Sequence, residues 1–387
     1  MTAKAAMPRS IWMLGFVSLL MDVSSEMIHS LLPIFMVGTL GATTLMVGTL
    51  EGFAESTAMI IKVFSGVISD WIGKRKVLAV FGYGLSALTK PLFPLAGSFA
   101  TAATARMADR VGKGLRGAPR DALVAEFAAP EIRGAAFGLR QTLDTIGAFT
   151  GPLLAVLLMW LWADNFRAVF WVASIPAILA VLLLQFGVHE PRLPKPAVRE
   201  NPISRANLAK LTSGFWVVVA VSSLFSLARF SEAFLVLRTQ VDHVPVALVP
   251  LVMVAMNVIY SAMAYPFGKL SDRVSHRALL AWGLAVLVLS DVALATSAGL
   301  ISISVGIVLW GVHMGMTQGL FSAIVAKHAP ANLRGTAFGV FNLANGLALL
   351  ASSIIAGALW STIGFAATFI AGAAFAAVGA ISVRAIK

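Results

Sequence analysis

The chain has 387 residues, of which 59% are hydrophobic and only 12% charged, and its mean hydropathy is +0.88. These values lie far outside the soluble globular range and predict an integral membrane protein. The sequence contains no cysteine, which excludes disulfide bonds, thiol chemistry and cysteine-based metal sites. The net charge of +12 could suggest a nucleic-acid partner, but its distribution along the chain argues against one.

Long apolar runs predict twelve membrane-spanning helices, because about 20 helical residues cross the hydrocarbon core. No removable signal peptide is expected, since no small-residue cleavage site follows the first residues. The predicted spans cover residues 11–37, 45–66, 77–96, 99–124, 134–160, 166–187, 213–238, 246–268, 277–296, 300–326, 335–361 and 363–384.

Alternate connections between these spans differ sharply in charge. One set (38–44, 95–99, 161–165, 239–245, 297–299 and 361–363) has no Lys or Arg. Because basic loops stay on the cytoplasmic side, the other set predicts a multi-pass protein of the cell membrane with both termini in the cytoplasm. The basic charge therefore reports topology, and no nucleic-acid partner is expected. The basic set contains Lys4, Arg9, Lys74, Arg75, Lys76, Arg133, residues 188–212, Lys269, Arg273, Arg277, Lys327, Arg334, Arg384 and Lys387.

Two phrases occur twice in the same order. Residues 69–75 (SDWIGKR) are echoed by 271–277 (SDRVSHR), and residues 133–138 (RGAAFG) by 334–339 (RGTAFG). One common period that nearly fills the chain indicates a duplicated half, as in many secondary transporters. We expect an N-terminal six-helix half at 1–187, a proline-rich cytoplasmic linker at 188–212 and a C-terminal six-helix half at 213–387.

Residues 66–76 (GVISDWIGKRK) resemble the signature that the major facilitator superfamily carries between its second and third helices. The family has Arg where Trp71 stands, and the second copy restores it as Arg273. The resemblance covers nearly the whole chain. It implies an all-α integral membrane fold, with twelve transmembrane helices in two pseudo-symmetric six-helix halves, that transports by alternating access. An acid at a helix end beside basic residues can latch one conformation, and the predicted latch residues are Asp70, Lys74, Arg75, Asp272, Arg273 and Arg277.

The fifth span contains residues 147–155 (GAFTGPLLA), which resemble the antiporter signature of the same superfamily. The family signature ends in two glycines where Ala155 and Val156 stand. Gly147 and Gly151 permit close helix approach, and Pro152 bends the helix. The resemblance implies export in exchange for protons.

The fourth span carries a basic stripe. At about 100° per residue, Arg106, Arg110, Lys113 and Arg120 fall within about 80° of one another, with Asp109 and Arg116 at one margin. A charge that faces lipid has a high free-energy cost, so we expect the stripe to face protein or a water-filled cavity. Two interpretations stay open, a substrate or coupling site and an internal salt-bridge lattice. Arg106 also resembles a family-typical arginine thought to serve proton coupling.

Acids that could pair with this stripe lie in the same half. Asp22 and Glu26 step by four along the first span, and Arg140 and Asp144 along the fifth. Glu51 and Glu55 rank lower, because we expect them near the outer mouth and solvated. Seven acids against eight bases predict a mostly paired network. The candidate substrate or coupling residues are Asp22, Glu26, Arg106, Asp109, Arg110, Lys113, Arg120, Arg140 and Asp144.

The spans of the second half carry few polar groups. A cavity between a charged wall and a polar-aromatic wall would suit an amphiphilic solute with an anionic group. The polar residues identified there are Arg229, Glu232, Asn257, Tyr260, His313, Gln318, Asn342 and Asn345.

No phosphate loop, zinc-peptidase pair or nucleophile elbow is present, so an enzyme, a cofactor and a metal are not expected. The sequence predicts a proton-coupled secondary exporter of a small solute that is anionic or amphiphilic. Alternatives are a multidrug exporter of cationic amphiphiles, a proton-symport importer and a lipid flippase. The expected partners are a small-molecule substrate, protons and membrane lipids, and we expect a monomer.

Overall fold

The computed structural model describes residues 7–72, 74–129, 132–189, 210–271, 273–296, 299–317, 320–328 and 334–385, and this part of the chain is helical throughout. Within these residues, ten helical spans are long and apolar enough to cross a membrane. Two more helices, α2 and α4, have 29 residues each but carry charged side chains that lower their hydropathy. The long helices are α1 (Arg9–His29), α2 (Thr44–Ile72), α3 (Arg75–Thr89), α4 (Phe99–Phe127), α5 (Arg133–Leu161), α6 (Phe166–Gly187), α7 (Ser213–Ala228), α8 (Leu251–Ser271), α9 (His276–Ala295), α10 (Leu300–Thr317), α11 (Arg334–Thr362) and α12 (Phe365–Ser382).

Polar caps fix the start of four helices close to where the sequence predicts them. The side-chain oxygens of Ser98, Asn165, Thr212 and Ser275 each accept a hydrogen bond from the backbone N–H three residues further on, at 3.1–3.3 Å. Such caps satisfy one of the backbone donors that a helix leaves unpaired at its N-terminus. They explain why α4, α6, α7 and α9 begin at these positions.

Three predicted spans are interrupted rather than continuous. Span 11–37 breaks after α1 and resumes as a short helix, Leu32–Ile34, and a π-helical turn, Phe35–Thr39. Span 77–96 breaks at Lys90, and Pro91, which has no backbone N–H, begins the helix Leu92–Leu95. Span 213–238 breaks at residues 229–232 before the helix Ala233–Val241. Each break frees backbone and side-chain groups for contacts that a continuous helix would hide.

The chain forms two compact units. The first comprises Met1–Leu32 and Thr57–Glu200, and the second comprises Pro33–Ser56 and Asn201–Lys387. Most of the predicted linker, 188–212, lies outside the described residues. The division into halves at that linker therefore stays a prediction.

Small residues bring helices of the first unit close together. A Cβ atom added at Gly82 of α3 would lie 2.7 Å from the Arg116 backbone nitrogen, and one added at Gly112 of α4 would lie 2.7 Å from the Gly82 carbonyl oxygen. Glycine at both positions lets the two backbones touch, as is common where membrane helices pack. The polar side chains of α3 consequently reach those of α4.

The second unit is packed largely through aromatic side chains. Phe230, Phe234, Trp310, Trp360 and Phe369 form a connected cluster with ring centroids 5.5–6.1 Å apart. Such ring pairs add about 0.5–1.5 kcal/mol each beyond the area they bury. This cluster stabilises the contacts among α10, α11, α12 and the interrupted segment after α7.

Candidate functional site

Part of the charged stripe on α4 is enclosed by protein. The side chains of Arg106, Asp109, Arg110 and Arg116 are buried, as is Lys90 at the break after α3. Lys90 Nζ lies 2.9 Å from Asp109 Oδ1 and donates to Ser25 Oγ of α1 at 3.0 Å. Buried charges are tolerated when they are paired and hydrogen-bonded, and this pair meets both conditions. We call these five residues the buried layer.

The buried layer is joined to its surroundings by neutral side chains. Arg116 donates to Ser86 Oγ at 2.5 Å, and Ser86 in turn donates to the Asp109 carbonyl oxygen at 3.2 Å. The Arg116 guanidinium also lies 4.9 Å from the centroid of the Tyr83 ring. Cation–π contacts and charged hydrogen bonds hold an arginine in one orientation, so the layer is rigid.

A second group of charges in the first unit is partly exposed. Asp121 of α4 lies at its centre, 3.1 Å from Arg120, 3.8 Å from Arg140 and 3.8 Å from Lys62. Arg140 also binds Asp144, one turn along α5, at 2.6 Å. The Asp121 carboxylate is 30% exposed, so these contacts are open on one side.

The two acids of α1 lie beside this group because of the glycines on α5. A Cβ atom added at Gly147 would lie 3.0 Å from Asp22 Cβ, and one added at Gly151 would lie 3.0 Å from Glu26 Cβ. The same added atoms would lie 2.7 Å from the carbonyl oxygens of Leu19 and Val23. The residues that resemble the antiporter signature therefore allow α5 to touch the acidic face of α1.

Both acids are in electrostatic contact with bases of α4. Asp22 interacts with Lys113, Arg116 and Arg120, and also with Asp144. Glu26 interacts with Lys113 and Arg110, and its Oε2 lies 3.4 Å from His29 Nδ1. Lys113 itself is exposed.

Exposure thus divides the predicted site residues into two sets. An exposed charge in a membrane-spanning helix faces water rather than lipid, because lipid exposure costs at least about 2.5 kcal/mol per charge. We call the exposed and partly exposed set the accessible cluster, and it comprises Asp22, Glu26, Lys113, Arg120, Asp121, Arg140 and Asp144. Asp121 was counted among the acids by sequence, but its central position was not predicted.

Two predicted acids lie elsewhere. Glu51 and Glu55 fall in the segment Pro33–Ser56, which belongs to the second unit. The expectation that both are solvated is wrong for Glu51, whose side chain is fully buried. Gly48 and Gly52 explain this burial, since Cβ atoms there would lie 2.6 Å and 3.1 Å from carbonyl oxygens of α11.

The structure describes the side chains of some, but not all, of the predicted latch residues. Arg75 forms an ion pair with Glu126 at the end of α4, and Lys76 donates to the Gln185 carbonyl oxygen at 2.7 Å. Lys74, Arg273 and Arg277 are exposed. Asp272 and the Asp70 side chain lie outside the described residues. Glu126 was missed because nothing in its local sequence marks it as the partner of Arg75.

Sequence reasoning also missed polar groups in the second unit. Asp291 of α9 is fully buried, although it stands alone in an apolar run. Arg238 is fully buried as well, where it donates to the carbonyl oxygens of Leu294 at 2.9 Å and Thr296 at 2.7 Å and pairs with Asp242 at 2.6 Å. A search for single charges inside apolar runs would have found Asp291.

Most of the buried charges described here are paired by side chains or backbone, whereas the Asp291 carboxyl oxygens have no hydrogen-bond partner. Among the described residues, no three His, Asp or Glu side chains are placed to hold a metal. The accessible cluster instead brings carboxylates and cationic side chains together where they are exposed or partly exposed.

Comparison with known proteins places this arrangement in a family. The sequence profile of the Major Facilitator Superfamily matches residues 14–353 and 242–386. An uncharacterised MFS-type transporter of Methanocaldococcus jannaschii is 32% identical over 359 residues, covering 91% of this chain and 88% of that protein. The multidrug resistance protein MdtH of Cronobacter sakazakii is 31% identical over 169 residues, covering 41% of this chain and 38% of that protein.

Solved structures support the same fold. A crystal structure of the nucleoside transporter NupG superposes with a TM-score of 0.81 at 14% identity, covering 97% of this chain and 99% of that one. Taken with the repeated sequence phrases and the twelve long helices, the profile match and the M. jannaschii relative establish the conclusion. The chain belongs to the major facilitator superfamily and is a multi-pass membrane transporter.

Proposed function

We propose that this transporter exports a small anionic or amphiphilic solute in exchange for protons, and that the accessible cluster binds both. One observation supports this proposal most strongly: three partly exposed acids share one region of the first unit with three bases. The acids are Asp22, Glu26 and Asp144, and the bases are Lys113, Arg120 and Arg140. Acids in this setting exchange protons with water, and the bases attract an anion.

The surroundings of the cluster support this assignment. The buried layer behind it provides a rigid wall, because its charges are already held by Ser25, Ser86 and Tyr83. Among the bases of the cluster, Lys113 is exposed, and Arg120 and Arg140 are partly exposed. A binding site on rigid helices holds its ligand more accurately than one on loops.

Topology and direction belong to the same proposal. We propose that both termini lie in the cytoplasm, which the basic connections support, and that the protein works as a monomer in the plasma or inner membrane. The glycine contacts at Gly147 and Gly151 support export, since they lie in the segment that resembles the antiporter signature.

A two-step experiment tests the proposal. Purified protein is first screened by thermal shift against anionic metabolites, phosphorylated compounds and cationic amphiphiles. The compound with the largest stabilisation is then added to proteoliposomes that contain a pH-sensitive dye. We expect an anionic compound to move protons across the membrane, and Asp144→Asn to abolish that movement without abolishing the thermal shift.

The second candidate function is export of cationic amphiphiles. It is favoured by the partial likeness to a multidrug resistance protein and by the acids of α1, which would attract a cation. Stabilisation by cationic amphiphiles, with none by anions, would support this function and contradict the anion proposal.

A further inference from the structure

Asp291 is an enclosed acid in the second unit that the proposed site does not use. Its side chain is fully buried in α9, and neither carboxyl oxygen has a hydrogen-bond partner in the described structure. A Cβ atom added at Gly372 of α12 would lie 2.7 Å from Asp291 Oδ2 and 2.9 Å from Phe230 Cε1. The carboxyl group is therefore packed directly against a glycine backbone and beside an aromatic ring.

The charged groups around Asp291 are engaged elsewhere. On α10, His313 Nδ1 lies 2.7 Å from the Gly283 carbonyl oxygen, two turns away along α9. Arg238 is bound to Leu294, Thr296 and Asp242. The neighbouring Ser290 hydroxyl donates to the Gly306 carbonyl oxygen at 2.7 Å.

The remaining titratable groups lie at the ends of these elements or outside them. α12 has no titratable residue. Arg229 and Glu232 flank the segment that carries Phe230, and neither bonds to Asp291. The other titratable groups on elements in contact with α9 are Lys327 and His328 on the helix Leu320–His328, Arg384 on the turn Val383–Ala385, and His276 and Arg277 on the first turn of α9 itself.

We propose that Asp291 is a proton-binding site, which holds a proton on its carboxyl group while Phe230 and Gly372 enclose it. An ionised carboxylate without a cation or donor costs far more to bury than the neutral acid. The described neighbours of the carboxyl group, Gly372 and Phe230, offer no charged or polar side chain, so this packing favours a proton on the acid.

If transport is proton-coupled as proposed above, Asp291 would bind and release a proton during the transport cycle. Asp291 can lose its proton only where water reaches it, which requires α9 and α12 to separate near Gly372. Proton release would then be tied to a change in helix packing. The accessible cluster and Asp291 would thus bind protons in different units of the chain.

Infrared difference spectroscopy tests the proton directly and needs no substrate. Wild-type protein and Asp291→Asn, both in lipid nanodiscs at neutral pH, are compared with Asp242→Asn as a matched control whose carboxylate is bound to Arg238. We expect Asp291→Asn to remove the carbonyl-stretch absorption of one protonated acid, and Asp242→Asn to remove carboxylate absorption instead. Loss of carboxylate absorption in Asp291→Asn would overturn the proposal.

A second variant and a readout that is independent of transport keep the experiment conclusive. If Asp291→Asn does not fold, Asp291→Glu is used, because it shifts the absorption of the acid without removing it. A shift in the protonated-acid region supports the site, and a shift in the carboxylate region overturns it. Since neither readout involves transport, a failure of proton-coupled export would leave this result standing, and the reverse also holds.

Discussion

Burial separates two kinds of charged residue on α4. Asp109 is enclosed and bound by Lys90 at 2.9 Å, whereas Asp121, twelve residues later, is 30% exposed and shared among three bases. A buried pair matters to the fold because the loss of one partner leaves the other charge buried with fewer partners. An exposed pair contributes little to the free energy of unfolding and stays available to a ligand.

Removing one partner of the buried pair is predicted to destabilise the protein severely. We expect Lys90→Met to cost up to about 3–5 kcal/mol, because Asp109 loses its partner at 2.9 Å and keeps the Arg110 guanidinium only at 3.9 Å. Asp121→Asn, the matched change on the accessible side, should cost less than about 1 kcal/mol. Thermal unfolding in detergent measures both, and equal losses would contradict the division.

Lys113 is predicted to affect the affinity for the ligand rather than the stability of the protein. We expect Lys113→Ala to weaken binding of an anionic ligand at least tenfold, or about 1.4 kcal/mol, with little change in melting temperature. Lys210→Ala, another exposed lysine that lies outside the predicted site and the predicted latch, serves as the control and should change neither quantity. Unchanged ligand affinity in Lys113→Ala would remove the anion proposal.

The sequence predicted the basic stripe on α4 but not which of its residues are buried and which are accessible. Helical periodicity placed Arg106, Arg110, Lys113 and Arg120 on one face, yet it carries no information about which neighbours cover that face. The Lys90–Asp109 pair depends on the approach of Gly82 to Gly112, which is a tertiary contact. Residue type and spacing therefore identified the candidate site residues. Only the packing of the folded chain shows which of them are buried and which are accessible.

At the level of helices, close glycine contacts position the site. α5 reaches the acidic face of α1 only because Gly147 and Gly151 have no side chain. The predicted role of these glycines in close approach agrees with the geometry. The predicted direction of transport stays a prediction.

A single methyl group at this contact is predicted to disturb the site. We expect Gly151→Ala to lower transport at least tenfold, because its Cβ would lie 2.7 Å from the Val23 carbonyl oxygen and push α5 away from Glu26. Gly138→Ala on the same helix is the control, since nothing lies within 4 Å of the added atom. Similar transport by both variants would show that the contact does not position the acids.

The ion pair between α3 and α4 is predicted to bias conformation. We expect Arg75→Met and Glu126→Gln to change the transport rate in the same direction, and the double variant to change it no further. Coupling of about 0.5–3 kcal/mol is typical of contacting residues. Lys76→Met, whose partner is a backbone carbonyl, gives the comparison, and strictly additive effects of Arg75→Met and Glu126→Gln would exclude a shared role.

Helix positions were predictable because hydropathy and capping residues mark them. The break at residues 229–232 was not, since it contains no proline, whereas Pro91 marks the break after Lys90. There Ser231 Oγ accepts a hydrogen bond from the Ala233 backbone N–H at 3.2 Å and starts a new helix. Such a local alternative competes with the continuous helix, and only the folded structure shows which one prevails.

For the whole molecule, repeats and charge asymmetry gave the family and the expected topology. The shared motifs at 69–75 and 271–277 indicated duplication, and the family assignment is confirmed by the profile match and by a 32% identical relative. The substrate could not be predicted, because the accessible cluster contains acids and bases in nearly equal numbers. Its net preference depends on which of its charges are compensated in the bound state.

The proposed proton-coupled export requires that protons and solute move through one transporter in opposite directions. Its most direct test is the flux of the selected compound from proteoliposomes, measured with an imposed pH gradient and again after an ionophore collapses it. We predict gradient-dependent flux for wild-type protein and gradient-independent, slower flux for Asp144→Asn. Wild-type flux that is unchanged when the gradient collapses would contradict proton-coupled transport.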